Sequence, residues 1–425
     1  MMNLIVIVIV LAMAYVGVLH KFFSSLLHMA CVVVAGAIAF AFWEPISYLI
    51  LEKAPSRGFF EFIEYAAWAI GLVLPFAVSL ALLRVATDKL VPANAVAANV
   101  PDAIGGGISG AISGIITAGI LVTAVGTMQF KSDSFGYKPV RYTGASLQRS
   151  SKLVLPVDQL VGKFYAKASE ASFATSTPLA KWRPDPWHAA EVMRITEKGG
   201  RNTAKPKDFS LSARYRVEAA DGENLLQDRW ANMPHAATML DGSPYPKDSR
   251  IEGVILKLES SLRERGASFI ALTEGQVWMV AENPTTGERL NLHPVAIVAN
   301  PKGAESSIAR FLFDSPNFAI SSAGTASRPW GFEFVVPNGF EPIAIYLRNV
   351  RRLLEPNQPV TEFASVASRD DAITDGSLID GAEKIPDGYG EIPDDRRNNA
   401  NNNDDEYDIK GIAARNRLPN RRTIQ

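Results

Sequence analysis

The sequence predicts an α+β membrane protein: an N-terminal four-helix transmembrane bundle, a C-terminal β-rich, sandwich-like soluble domain and a disordered tail. Three observations carry this reading. The first ~130 residues hold four long apolar runs. The middle of the chain alternates apolar and polar residues with a period of two, as half-buried strands do. Beyond about Val360 the apolar pattern fades into Asn-, Asp- and Arg-rich sequence. The mean hydropathy of +0.05 averages over this division.

The four apolar runs are Met2–Val18, Leu26–Trp43, Ile63–Leu83 and Ile104–Met128. Each compares with the ~20 helical residues that cross a hydrocarbon core of ~30 Å. Nearly all charges fall between them, Glu64 at the lip of the third run excepted: up to residue 130 the basic residues are Lys21, Lys53, Arg57, Arg84 and Lys89, and the acids are Glu44, Glu52, Glu61, Glu64, Asp88 and Asp102. The β-branched stretch Ile5 to Val10 would favour a strand in water, but in lipid the backbone must satisfy its own hydrogen bonds, which selects a helix. Ala12-Met13-Ala14 has the small-x-small form of a signal-peptide cleavage site. The basic leader such a peptide needs is missing, and another span follows almost at once. Phe22, Phe23, Trp43, Tyr65 and Trp68 fall near span ends, where amphipathic rings favour headgroups. Pro75 is expected to kink the third span.

The fourth run is the most patterned. Every fourth residue gives Ile104, Ile108, Ile112, Ile116 and Ile120 on one ridge, expected to face lipid. Gly106, Gly110, Gly114 and Ala118 form a ridge on the opposite side, where small residues let helix backbones approach. Gly105, Ser109, Ser113 and Thr117 run beside the glycines as a candidate polar path, with hydroxyls able to bond across to a neighbouring helix. Packing within the bundle, self-association of the fourth span and lining of a polar path all fit this pattern.

These residues resemble the colicin V production protein family, bacterial inner-membrane proteins with four spans. In that family the fourth span opens with Asp-Arg and continues with glycines four residues apart. Here Asp102 precedes Gly106, Gly110 and Gly114 at that spacing, while Ala103 and Ser113 stand where the family has Arg. The short opening span and the His20-Lys21 loop are also similar. The resemblance covers about residues 1–130. It implies a multi-pass inner-membrane protein with a role in toxin production and export or envelope homeostasis. Lysine and arginine counts in the loops lean slightly towards a cytoplasmic C-terminal part. The resemblance implies the opposite, and the C-terminal domain is expected in the periplasm.

Residues 131–206 are expected to be a linker with helical pieces. One starts at Pro156-Val157-Asp158 and carries Leu160, Val161, Phe164 and Tyr165; another starts at Asp185-Pro186 and ends near Gly199-Gly200. Residues 207–357 form the β-rich domain. Leu211, Ala213, Tyr215 and Val217 are expected inward, with Ser212, Arg214, Arg216 and Glu218 towards water. Further strands are expected at 251–258, 268–273, 276–281, 295–299, 310–313, 318–321, 331–336 and 342–347. Glu274-Gly275 and Pro337-Asn338-Gly339 supply turns, and the last two runs form a hairpin. Residues 358–425 are the expected disordered tail.

Composition also excludes. A net charge of −1 gives no basic face for nucleic acid. One cysteine, Cys31, permits neither an intramolecular disulfide nor a cysteine zinc site. The five histidines, His20, His28, His188, His235 and His293, make no metal-ligand pair, and no P-loop, G-x-S-x-G or H-E-x-x-H motif occurs. Some relatives join the membrane unit to an extracytoplasmic trypsin-like protease, but the Gly-Asn-Ser-Gly-Gly type of nucleophile signature is absent. No catalytic residue, metal or cofactor is therefore expected. The expected partners are the lipid bilayer and a protein partner or a second copy met through the fourth span. An oligomeric channel or transporter component for a small solute or peptide toxin is the alternative function.

Overall fold

The computed structural model describes residues 1–55, 59–91, 99–128, 134–137, 140–143, 146–149, 153–174, 177–192, 203–218, 239, 241–246, 248–263, 269–272, 274–299, 309–312, 320–323 and 328–374. It is a mixed α+β protein with apolar helices at the N-terminus and β-sheets in the C-terminal region. Its contacts divide it into two units, residues 1–139 with 150–194, and residues 140–149 with 195–425.

The first unit is built on α1 (Met2–Lys53), α3 (Ala67–Leu90) and α4 (Asn99–Thr127), with the single turn α2 (Phe62–Tyr65) before α3. Among the described residues these three long helices are apolar enough to cross a membrane. The expected loop between the first two runs is a single residue. Lys21, at φ 63 and ψ 170, breaks α1 into two arms. A straight helix would set residues eight apart at about 12 Å, yet the Ser25 hydroxyl donates to the Gly17 carbonyl at 2.9 Å, so the chain turns back at the break. Pro75 lies inside α3, which runs on to Leu90; the Ser79 hydroxyl donates back to the Pro75 carbonyl, one turn earlier in the same helix.

Three shorter helices complete this unit: α5 (Val157–Glu170), α6 (Leu179–Trp182) and α7 (Ala189–Val192). Residues 150–194, expected to be linker, thus group with the apolar helices. The helix expected to run from Asp185-Pro186 is a 3-10 turn, Pro186–His188, followed by α7. Its expected end, near Gly199-Gly200, lies outside the described residues. Val157, Leu153 and Ala190 share a core with Met2, Val6, Ala118 and Val122.

In the second unit, six strands are ordered β14-β3-β4-β11-β8-β9, with β3 (Phe209–Val217), β4 (Arg250–Leu258), β8 (Ala296–Ala299), β9 (Ala309–Leu312), β11 (Arg328–Val336) and β14 (Val360–Phe363). A second sheet has the order β13-β12-β6-β7, from β6 (Val277–Glu282), β7 (Arg289–Leu292), β12 (Glu341–Leu347) and β13 (Val350–Leu353). Two-stranded ladders join β1 (Val140–Thr143) to β2 (Ser146–Arg149) and β5 (Phe269–Leu272) to β10 (Ile320–Ala323).

Three expectations are corrected in this unit. The runs either side of Pro337-Asn338-Gly339 are not hairpin partners. β11 pairs with β4 and β8, β12 pairs with β6 and β13, and the turn, with Gly339 at φ 81, carries the chain from one sheet to the other. Arg214 does not face water: its side chain is 6% exposed and lies 3.9 Å from the buried Glu252 carboxylate of β4, whereas Ser212 and Glu218 are exposed as expected. The expected tail from residue 358 is structured at its start. Val360–Phe363 pairs in parallel with β3, and α8 (Val366–Thr374) follows. Arg369 of α8 is fully buried in an ion pair with Glu333, which supplies the anchor that the local composition does not advertise. The remainder of the tail, with its Asn-rich stretch, lies outside the described residues.

Candidate functional site

The fourth-span residues assemble against the first arm of α1. A Cβ on Gly106 would fall against the Gly17 carbonyl, and one on Gly110 against the Met13 carbonyl and 3.0 Å from Ala14 Cα. On Gly114 it would lie 2.8 Å from Val10 Cα, and Ala118, next on the ridge, is fully buried. The two backbones therefore touch along about two turns of helix. Gly105 instead faces the Phe22 ring.

Asp102 sits at the break in α1. Its carboxylate accepts the backbone N–H of Phe22 at 2.9 Å, the first residue after Lys21. Helix starts leave their first N–H groups without partners and favour negative charge, so a buried carboxylate there caps the second arm. Ser25 treats the other side of the break in the complementary way, giving its hydroxyl to Gly17, among the last carbonyls of the first arm. One acid, one hydroxyl and the Gly17–Gly106 approach thus hold a turn that contains no loop.

The ridge beside the glycines differs from expectation. Ser109 and Ser113 are buried, but the Ser113 hydroxyl donates to the Ser109 carbonyl of its own helix at 2.9 Å, not to a neighbour. Back-bonding of this kind is the nearest satisfaction for a serine in apolar surroundings. The Thr117 hydroxyl is buried without a hydrogen bond. On the isoleucine ridge Ile104, Ile108 and Ile112 are exposed, as expected of a lipid face, whereas Ile116 and Ile120 are buried. They lie in the half of α4 against which α5 and α7 pack: Gly119 abuts Val161, and Gly126 abuts Ala190.

Sequence reasoning missed a second cluster in this unit. Arg183 Nε donates to Glu44 Oε1 at 2.9 Å, with side-chain exposures of 4% and 15%. The guanidinium lies over two indoles, 5.1 Å from the Trp43 ring centre and 4.8 Å from that of Trp68. Trp43 Nε1 donates to the Trp68 carbonyl at 2.8 Å. Tyr165 of α5 lays its ring over Gly36 and gives its hydroxyl to Val33 O at 3.1 Å; burial pushes that phenol's pKa upwards. Burial also raises the Asp158 carboxyl, against the opposing pull of the Tyr137 hydroxyl that it accepts at 2.6 Å.

A charged network occupies the second unit. Glu252 Oε1 accepts Arg216 at 2.6 Å and Arg250 at 2.8 Å, and Glu341 of β12 accepts both at 3.0 Å. Burial lowers the Arg214 pKa, partly offset by Glu252; for Arg216 burial acts the same way, but Glu252 and Glu341 outweigh it and raise the pKa. Arg250 also holds the Phe340 carbonyl at 2.7 Å, so the network ties strands of the two sheets together. Its arginines are met by carboxylates and carbonyls as structural ion pairs are. Among the described residues no three His, Cys, Asp or Glu side chains are grouped to hold a metal ion.

Residues 2–161 match the model of the family described as Colicin V production protein. The match runs past the apolar helices into α5, beyond the residues on which the resemblance was drawn. No curated protein and no solved structure matches the chain.

Proposed function

We propose that the chain is a non-enzymatic inner-membrane protein of the colicin V production type, whose first unit crosses the bilayer four times and presents the β-rich unit to the periplasm as an interaction domain. One observation carries this most. The region matching the family, residues 140–149 apart, lies within the unit that holds every exposed large apolar side chain among the described residues except Leu353. A surface of that kind suits lipid, because water-soluble surfaces seldom carry apolar patches of such extent. The turn at Lys21 supports the count of four, since each arm of α1 would then cross separately. By the resemblance, the role is toxin production and export or envelope homeostasis.

In this reading the Gly106, Gly110, Gly114 and Ala118 ridge packs within one copy, and Asp102 holds the hairpin of the first two crossings. Removing the gene should reduce release of a peptide toxin or raise sensitivity to envelope stress. Chain lacking residues 203–374 should reach the membrane yet fail to restore the phenotype. Hydrolysis of peptides, esters or phosphates by the pure protein, abolished by one polar substitution, would refute the non-enzymatic reading.

The second reading, an oligomeric channel for a small solute or peptide toxin, has the buried, unbonded Thr117 hydroxyl in its favour. Within one copy Ser109 and Ser113 are covered, so the path would have to open between copies. Solute flux into vesicles containing this protein alone would select it.

A further inference from the structure

We infer that α5 is an interfacial helix, lying across the apolar bundle and seated on the acyl–headgroup boundary of an anionic bilayer; this rests on the four-crossing reading and specifies how the unit sits in the membrane. The depth comes from three independent contacts. Along α4, Gly119, which meets Val157 and Val161, is 17 residues from Asp102, or about 26 Å. Along the second arm of α1, Gly36, which meets Tyr165, lies about 21 Å beyond Phe22. On the first arm Val6 and Met2, which share the Val157 core, lie about 22 to 28 Å before the Lys21 break. All three place α5 near the far boundary of a core of ~30 Å. Its two ends meet the bundle at similar depths, so it runs across the crossings, not along them.

The exposed side of α5 fits that place. Its inner face is Val157, Asp158, Val161, Gly162, Tyr165 and Ala166, all buried. Outside, Leu160 and Phe164 are 48% and 45% exposed, and Lys163 and Lys167 are exposed beside them. At ~100° per residue Leu160 and Phe164 fall within about 40° of each other, and the two lysines lie on the flank away from the buried face. An apolar strip continuing the exposed surface of the crossings, edged by cations, is the pattern of a helix whose rings enter the acyl region while its ammonium groups meet lipid phosphates.

The test uses the full chain with its buried lone cysteine removed, Cys31→Ser, and single fluorophore-labelled cysteines at Leu160, Phe164, Val78 and Thr286. Each protein is reconstituted in phosphatidylethanolamine and phosphatidylglycerol vesicles, with and without brominated acyl chains. Labels at 160 and 164 should be quenched by the brominated lipid, as at Val78 in α3, while the label at Thr286 should respond to iodide alone. Adding Lys163→Gln and Lys167→Gln should lower the quenching at 164 by roughly twofold. Iodide quenching at 160 and 164 with Val78 still quenched by lipid would overturn the inference and leave the membrane reading standing. Loss of lipid quenching at Val78 as well would overturn both. Unchanged quenching in the lysine variant would overturn the anionic surface as its partner.

Discussion

Replacing Gly110 with Leu puts a branched side chain where the structure has no room for one carbon. The added Cβ would stand 3.0 Å from Ala14 Cα and against the Met13 carbonyl, both backbone and unable to swing aside. Carbon atoms rest at about 3.5–4.0 Å, so α4 and the first arm of α1 must separate by roughly 0.5–1 Å for the Cβ alone. A gap of that size forfeits about a quarter to a half of the dispersion energy of each contact that it opens. Overpacking in a tight core costs about 1–3 kcal/mol, and the rigid neighbours here argue for the upper end. For a unit of this size that corresponds to a fall in Tm on the order of 6–12 °C. Ile112→Leu is the control, because Ile112 is 40% exposed and one aliphatic replaces another. Thermal unfolding of the detergent-solubilised protein, followed by circular dichroism and by size-exclusion of heated samples, measures both. Equal Tm values for the two variants would refute the reasoning, since the helices would then not meet through their glycines.

Asp102→Ala removes the acceptor of the Phe22 N–H and should cost about 1–2 kcal/mol by thermal unfolding, with Asp102→Asn, which keeps an oxygen there, milder. Arg183→Ala removes the cation that pairs with Glu44 and covers two indoles, and should cost about 3 kcal/mol; a double-mutant cycle with Glu44→Gln should recover a coupling above 1 kcal/mol, roughly the limit for exposed pairs. Asp158 has a folded-state pKa raised above 3.8, so the folded protein binds its proton at higher pH than the unfolded chain does. Its contribution therefore improves as pH falls through the raised value and levels off below 3.8. Asp158→Asn should be stabilised relative to the natural protein most at neutral pH, and the Tm difference should shrink on acidification; a constant difference would refute the assignment.

Much of the helical unit was legible because a long apolar run favours a helix: the first two runs lie in α1, the third mostly in α3 and the fourth in α4. The break at His20-Lys21 was expected as a loop, but its length of a single residue was hidden for a physical reason. A one-residue break uses no Gly, Pro or Asn signal, and its caps come from Asp102, Ser25 and Gly106, two of them distant in sequence. The same separation hid Arg183 and Glu44, 139 residues apart. Burial of Ile116 and Ile120 was misread because a four-residue repeat reports a helix face but not where along it another helix packs. In the β region, alternation found β3 to β6 and β8 to β12, most of them within a residue or two, but missed β1, β2, β7, β13 and β14, and it carries no record of which strand pairs with which. That is why β11 and β12 were joined in one hairpin. Arg214 was sent to water because a charge pattern cannot reveal a Glu252 waiting on the neighbouring strand.

The most direct test of four crossings with a periplasmic β unit is a set of paired alkaline phosphatase and fluorescent-protein fusions, placed after Lys53, after Leu90 and at Gln425. The phosphatase should be active after Lys53 and at Gln425, with the fluorescent protein dark there, and the pattern should invert after Leu90. A fluorescent fusion and an inactive phosphatase at Gln425 would contradict the periplasmic placement. Fusions after Lys53 and Leu90 reporting the same side would contradict the crossings themselves.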